Sequence, residues 1–167
     1  MYALYLASVW LHILAVVVWL GGAAFLVLAI VPYLRKGDRQ TAGALLRDLG
    51  LRLRTVGWSC FAILTVTGTY NLWLRGVSLG DLFDPTWRRT ALGAAVTYKL
   101  LGFFAILGLS IAHDFFLGPR AAERAAAGAA PAELERLRRW ASWLARVTVV
   151  VALGMVALGV IIVRGWP

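Results

Sequence analysis

Residues 91–109, ALGAAVTYKLLGFFAILGL, form an apolar run with Lys99 in its middle. A helix crosses a bilayer in about 20 residues at 1.5 Å rise per residue, so a run of this kind reads as a transmembrane helix. A lysine at mid-membrane costs on the order of 2.5–3.5 kcal/mol on insertion scales unless it is paired or solvated. An ionisable residue retained at that depth is by default a functional-site candidate. A second one, His12, interrupts the first apolar run of the chain.

Working outward, four runs are long enough to span: 2–34, 55–74, 91–117 and 143–163, with basic loops at 35–54 and 118–142. The chain is 61% hydrophobic with mean hydropathy +0.78 over 167 residues, which is too apolar for a soluble domain of this size. The expectation is an all-α integral membrane protein, one four-helix up-down bundle forming a single domain over 1–167. The first run has no basic residue before it and leads directly into a basic loop, so it reads as a retained span rather than a cleaved signal. The single cysteine, Cys60, excludes an internal disulfide and a cysteine-based metal cluster within one chain.

The net charge of +9 suggests nucleic acid only until its distribution is read. Arg35, Lys36, Arg39, Arg47, Arg52 and Arg54 lie between the first two runs, and Arg120, Arg124, Arg136, Arg138, Arg139 and Arg146 between the last two. The other side carries Arg75, Arg88, Arg89 and Arg164. The positive-inside rule then places both rich loops in the cytoplasm and both termini outside, and the basic balance reports topology and anionic lipid rather than nucleic acid.

Local signals set the expected helix ends. Pro32 and then Gly37-Asp38 close the first helix, and Gly118-Pro119-Arg120 closes the third. Leu and Arg alternate at helical spacing over 41–54, as in an interfacial helix or an extension of the second span. The Ala-rich stretch 121–130 reads as helical or loosely ordered. A helix restarts at Pro131, with Glu133 and Glu135 at its positive end. Trp73 and Trp87 flank the outer loop as interfacial anchors, and no internal repeat is evident.

Ser8, His12, Ala15, Trp19 and Gly22 fall on one face of the first helix, and Ala95, Lys99, Gly102, Ile106, Ser110 and His113 on one face of the third. Small and polar residues in such stripes suit helix–helix contact rather than lipid. By rise per residue His12 lies roughly 15 Å, and Lys99 roughly 13 Å, from the outer end of its helix, so the two are expected to share a layer. The same count brings Met155, Thr65 and Thr67 near that layer and leaves His113 roughly 33 Å down, near the cytoplasmic surface.

With these residues placed, the chain resembles the copper-resistance protein D (CopD) family of bacterial membrane proteins over nearly its whole length. The resemblance rests on Trp10-Leu-His12-Ile-Leu, Trp19-Leu-Gly-Gly, Pro32-Tyr-Leu-Arg35, Thr67-Gly-Thr-Tyr-Asn71, Tyr98-Lys99-Leu and the segment from His113-Asp114 to Pro119-Arg120. It implies copper movement across the bacterial cytoplasmic membrane. His12 with Trp19, together with Lys99, is also similar to the HemJ-type protoporphyrinogen oxidases, which implies haem b in a four-helix membrane bundle.

Each candidate has two readings. His12 reads as a haem or copper ligand, or as a packing histidine bonded to a neighbour such as a threonine hydroxyl. Lys99 reads as a second ligand, a partner for a carboxylate or a proton carrier, or as a side chain reaching for the outer interface. Trp19 belongs to the cofactor's aromatic surroundings. Met155 and Cys60 read as soft ligands or as packing. His113 and Asp114 read as a metal or proton-relay pair or as interfacial residues. Arg54 and Trp58, one turn apart, can hold an anionic group, or Arg54 simply anchors the inner edge.

The expected function is a haem b-binding electron-transfer protein or oxidoreductase, with His12 as axial ligand and Lys99 as second ligand or charge partner. The alternative is a copper-binding or copper-transport protein using His12 and Met155. Expected partners are the lipid bilayer and a quinone or redox protein, with homo-oligomers compatible.

Overall fold

A computed structural model of the chain describes residues 2–34 and 39–164. The expected Gly37-Asp38 break, with Arg35 and Lys36, lies outside the described residues. All regular structure among the described residues is helical: α1 (Tyr2–Phe25), α2 (Val31–Leu34), α3 (Arg39–Leu74), α4 (Pro85–Arg88), α5 (Ala91–Ile111), α6 (Gly118–Ala126) and α7 (Pro131–Arg164), with a 3-10 turn at Asp81–Phe83. Four stretches are long and apolar enough to cross a membrane: Tyr2–Leu34, Arg47–Leu74, Ala91–Ala126 and Pro131–Ile162.

The chain divides into two compact units, Met1–Ser78 and Leu79–Pro167, each a helical hairpin. In the first, α1 and α3 run antiparallel, with Ser8 at Thr67, Trp19 at Gly57 and Gly22 at Leu53. In the second, α5 and α7 run antiparallel, with Gly102 at Met155 and Lys99 at Gly159. The stripes expected to face a neighbouring helix do so except at His113, which lies in a π-helical segment and is exposed: Ser8 and Ala15 are buried on α1, and Ala95 and Ile106 on α5. Most large apolar side chains point outward, Leu28, Val66 and Val150 among them, as lipid-facing surfaces require. The seams are built from small residues that let backbones approach closely enough for dispersion contacts.

The extension of the second span over 41–54 and the restart at Pro131 are as one expected reading had them, and the end of the third helix differs. The Leu/Arg stretch is no separate interfacial helix but the first turns of α3, which runs without interruption to Leu74. The fourth helix starts at Pro131 and continues as one element through the expected loop. Gly118-Pro119 does not end the third helix. Residues Ala112–Leu117 widen into π-helix, α6 follows, and Gly128 at φ +67 supplies the stop. Proline lacks an N–H and its ring crowds the carbonyl four residues back. Shifting to five-residue bonding just before it relieves that crowding. The Gly118 N–H accordingly bonds the His113 carbonyl.

The first hairpin repeats this device. Leu26–Ile30 is π-helical, and the Val31 N–H reaches back to the Leu26 carbonyl just before Pro32. Pro32 follows His12 by twenty residues and Pro119 follows Lys99 by twenty. In each hairpin the ionisable side chain lies against a glycine of the facing helix: a Cβ at Gly68 would sit 3.4 Å from His12 Cε1, and one at Gly159 3.4 Å from Lys99 Nζ. The two hairpins thus share an internal plan that the sequence reading does not anticipate. The residues preserved between them are too few to register as sequence similarity.

Between the hairpins, Gly76 turns the chain at φ +75. Asp84 caps α4 by accepting from the Thr86 N–H at 2.8 Å, and Thr90 caps α5 by accepting from the Gly93 N–H at 3.1 Å.

Candidate functional site

The His12 site is assembled from three turns of α1 and α3. The Thr67 hydroxyl lies 2.6 Å from the Ile63 carbonyl and 2.8 Å from His12 Nδ1. A carbonyl can only accept, so the single hydroxyl hydrogen goes to Ile63, and His12 Nδ1–H donates to Thr67 Oγ1. Nδ1 therefore carries a proton. The ring lies over Gly68, where an added Cβ would meet Cε1 at 3.4 Å, in van der Waals contact. Gly68 is the residue that the sequence reading missed, although the Thr67-Gly68 dipeptide opposite a histidine is its visible trace. Thr65, the other threonine at this depth, turns back to its own helix and donates to the Phe61 carbonyl at 2.8 Å.

Deeper in the same seam, Trp19 packs at a tilt on Phe61 with ring centroids 5.2 Å apart, its indole edge over Gly57. Trp58 meets Phe61 edge-on at 5.6 Å. Cys60 is buried beside them. Arg54 lies one turn before Trp58 on α3, and both are partly exposed. The aromatic surroundings foreseen for His12 therefore begin about two turns below it, since seven residues separate Trp19 from His12 and each adds about 1.5 Å.

In the second hairpin, Met155 lies over Gly102, where a Cβ would come within 3.1 Å of its Sδ. Lys99 and Gly102 are one turn apart on α5, and Met155 and Gly159 one turn apart on α7. The ammonium and the thioether thus occupy neighbouring levels of one seam. Lys99 Nζ lies against the α7 backbone at Gly159, so its side chain is directed at the facing helix.

His113 and Asp114 sit in the second π-helical segment, and His113 Nδ1–H donates to Asp114 Oδ1 at 2.9 Å. His113 is nearly half exposed and Asp114 far less so. Among the described residues, no group of three or more His, Cys, Asp or Glu side chains converges in a way that could hold a metal ion.

The family model for copper resistance protein D matches residues 49–164, a range that includes Lys99 and Met155 and leaves His12 outside. An uncharacterized protein of Aquifex aeolicus (strain VF5) is 29% identical over 157 residues, covering 93% of each chain. No solved structure matches. With more than half of its length matched by that model, and with four membrane-spanning helices, the chain belongs to the copper resistance protein D family.

Proposed function

We propose that the protein is a membrane redox protein that holds haem b through His12, with Lys99 as second ligand or charge partner and Trp19 in the aromatic surroundings. The observation that carries this is the Thr67 hydrogen bond. A histidine that ligates a metal through one nitrogen characteristically donates the other N–H to an oxygen, which fixes ring and tautomer. His12 has that arrangement through Nδ1, which supports Nε2 as the ligating nitrogen in this reading. The donor count favours haem over a bare ion. A porphyrin brings four nitrogens of its own, whereas a retained copper ion needs several protein donors, and the described residues supply no cluster of the usual ones. When bound, haem b supplies one-electron transfer between ferric and ferrous iron. Under this reading the chain's own task is to fix the imidazole, exclude lipid and set the local charge.

A second reading is favoured by the family's description, copper resistance. Here His12 and Met155 bind copper, with the soft thioether suited to Cu(I). The absorption spectrum of detergent-purified protein separates the two. The haem reading expects a Soret band that His12→Ala abolishes. A colourless protein that binds copper stoichiometrically, and loses it in His12→Ala and Met155→Leu, would establish the second reading instead.

A further inference from the structure

The polar groups of the first hairpin are confined to one part of its seam. Arg75, Asn71 and Thr67 recur every four residues on α3 and its end, and Tyr5, Ser8 and His12 answer them on α1. At the Tyr2 end, Arg75 Nη2 donates to the Tyr5 hydroxyl at 3.3 Å. Ser8, buried to 7% exposure, directs its hydroxyl at the Thr67 carbonyl at 3.5 Å, the limit of a hydrogen bond. His12 and Thr67 close the series. Beyond His12 the seam turns apolar, with Ala15, Trp19 and Gly22 against Leu64, Cys60, Phe61 and Leu53.

Asn71 falls inside this polar segment, between the Thr67 level and the Arg75 level. Its Oδ1 is buried and has no hydrogen-bond partner among the described residues. An amide carbonyl stripped of water without compensation costs about 1–3 kcal/mol, and buried polar groups are nearly always satisfied by protein or water. A seam serving only to pack two helices in lipid has no use for a buried serine and an unsatisfied carboxamide side by side. It would also have no reason to change character at the histidine.

We propose that this segment is a hydrated track. Water enters at the Tyr5–Arg75 end, is held by Ser8 and Asn71 Oδ1, and reaches the His12 level from that side only. The track does not depend on what His12 binds, and its test is independent of the absorption spectrum.

The test uses the full-length chain in sealed membrane vesicles, with Cys60→Ser removing the native thiol. Single cysteines are placed at Tyr2, Ser8, Asn71 and Val66, and each is treated with a small charged methanethiosulfonate reagent. Thiolates, which form where water reaches the sulfur, attack such reagents to give a mixed disulfide and release methanesulfinate, so Ser8→Cys and Asn71→Cys should react at least about tenfold faster than lipid-facing Val66→Cys. Both should react from the same side as Tyr2→Cys at the helix end. Unreactive cysteines at both 8 and 71 while Tyr2→Cys reacts would overturn the track, as would equal rates at Val66 or reaction from the opposite side. Two independent probes, one on each helix, keep the test decisive should either substitution prevent folding.

Discussion

Thr67 controls what His12 can do, because its hydroxyl has one hydrogen and the Ile63 carbonyl takes it. Thr67→Val keeps the shape and removes this acceptor from the imidazole N–H, at a cost of about 1–3 kcal/mol. Thr67→Ser keeps the acceptor and should rescue. The expected outcome is a lowered thermal midpoint in Thr67→Val, with the haem or copper signal weakened by about 10–100-fold in affinity, as for lost partners of metal-bound histidines. Thr67→Ser should stay near wild type. A weakened signal with an unchanged midpoint would locate the effect in the ligand rather than in folding. Lys99 tests the other half of the assignment: Lys99→Met should shift the spectrum or the metal content, and no change in either removes it from the site. At this scale the sequence was informative about depth and blind to hydrogen direction. Helical rise placed Thr67 level with His12, but only the three-atom chain through Ile63 puts a proton on Nδ1. Gly68 and Gly159 were equally hidden, because a glycine in a membrane helix is a packing residue until its facing side chain is known.

The elements show a plan used twice, each hairpin placing a π-helical widening immediately before a proline. The sequence predicted that Gly118-Pro119 stops the helix, since proline is the strongest local breaker. It failed because the wider turn accommodates the ring, and the stop passes to Gly128, where positive φ favours glycine. Pro119→Ala restores an N–H able to bond four residues back, so Ala112–Leu117 should tighten to regular α-helix and its amides should gain protection from deuterium exchange. Unchanged protection would mean that the proline does not cause the widening. A second test lies where the loop meets α5. A Cβ at Gly93 would run into the Trp87 carbonyl, a backbone atom that cannot rotate away. Gly93→Ala should therefore cost about 1–3 kcal/mol, as overpacking does, read as a fall in thermal midpoint. Gly108→Ala, which meets nothing within 4 Å, should be neutral or stabilising.

For the whole molecule, hydropathy revealed the number of spans and their approximate places because lipid removes every alternative to a closed helix. What hydropathy could not deliver is where helices continue past the apolar core. The first turns of α3 and α7 are as charged as loops, yet ion pairs such as Arg52 to Asp48 at 3.2 Å and Arg139 to Glu135 at 3.2 Å fit helical spacing. Charge also carries the topology. Arginines crowd the stretches before the second and fourth spans, while the loop between the hairpins holds Arg75, Arg88 and Arg89. Because short loops rich in Lys and Arg resist translocation, both crowded stretches should stay inside. A reporter active only outside the cell should therefore be active when inserted at Leu79 and inactive when inserted at Gly128. Replacing Arg47, Arg52 and Arg54 with Gln removes the bias from the first loop alone. That variant should yield a mixed population at Leu79, while the second loop still holds Gly128 inside in most molecules. If the wild-type reporters read the other way round, the Tyr2 end of the first hairpin faces the cytoplasm, and the side from which water reaches the His12 level is reversed with it.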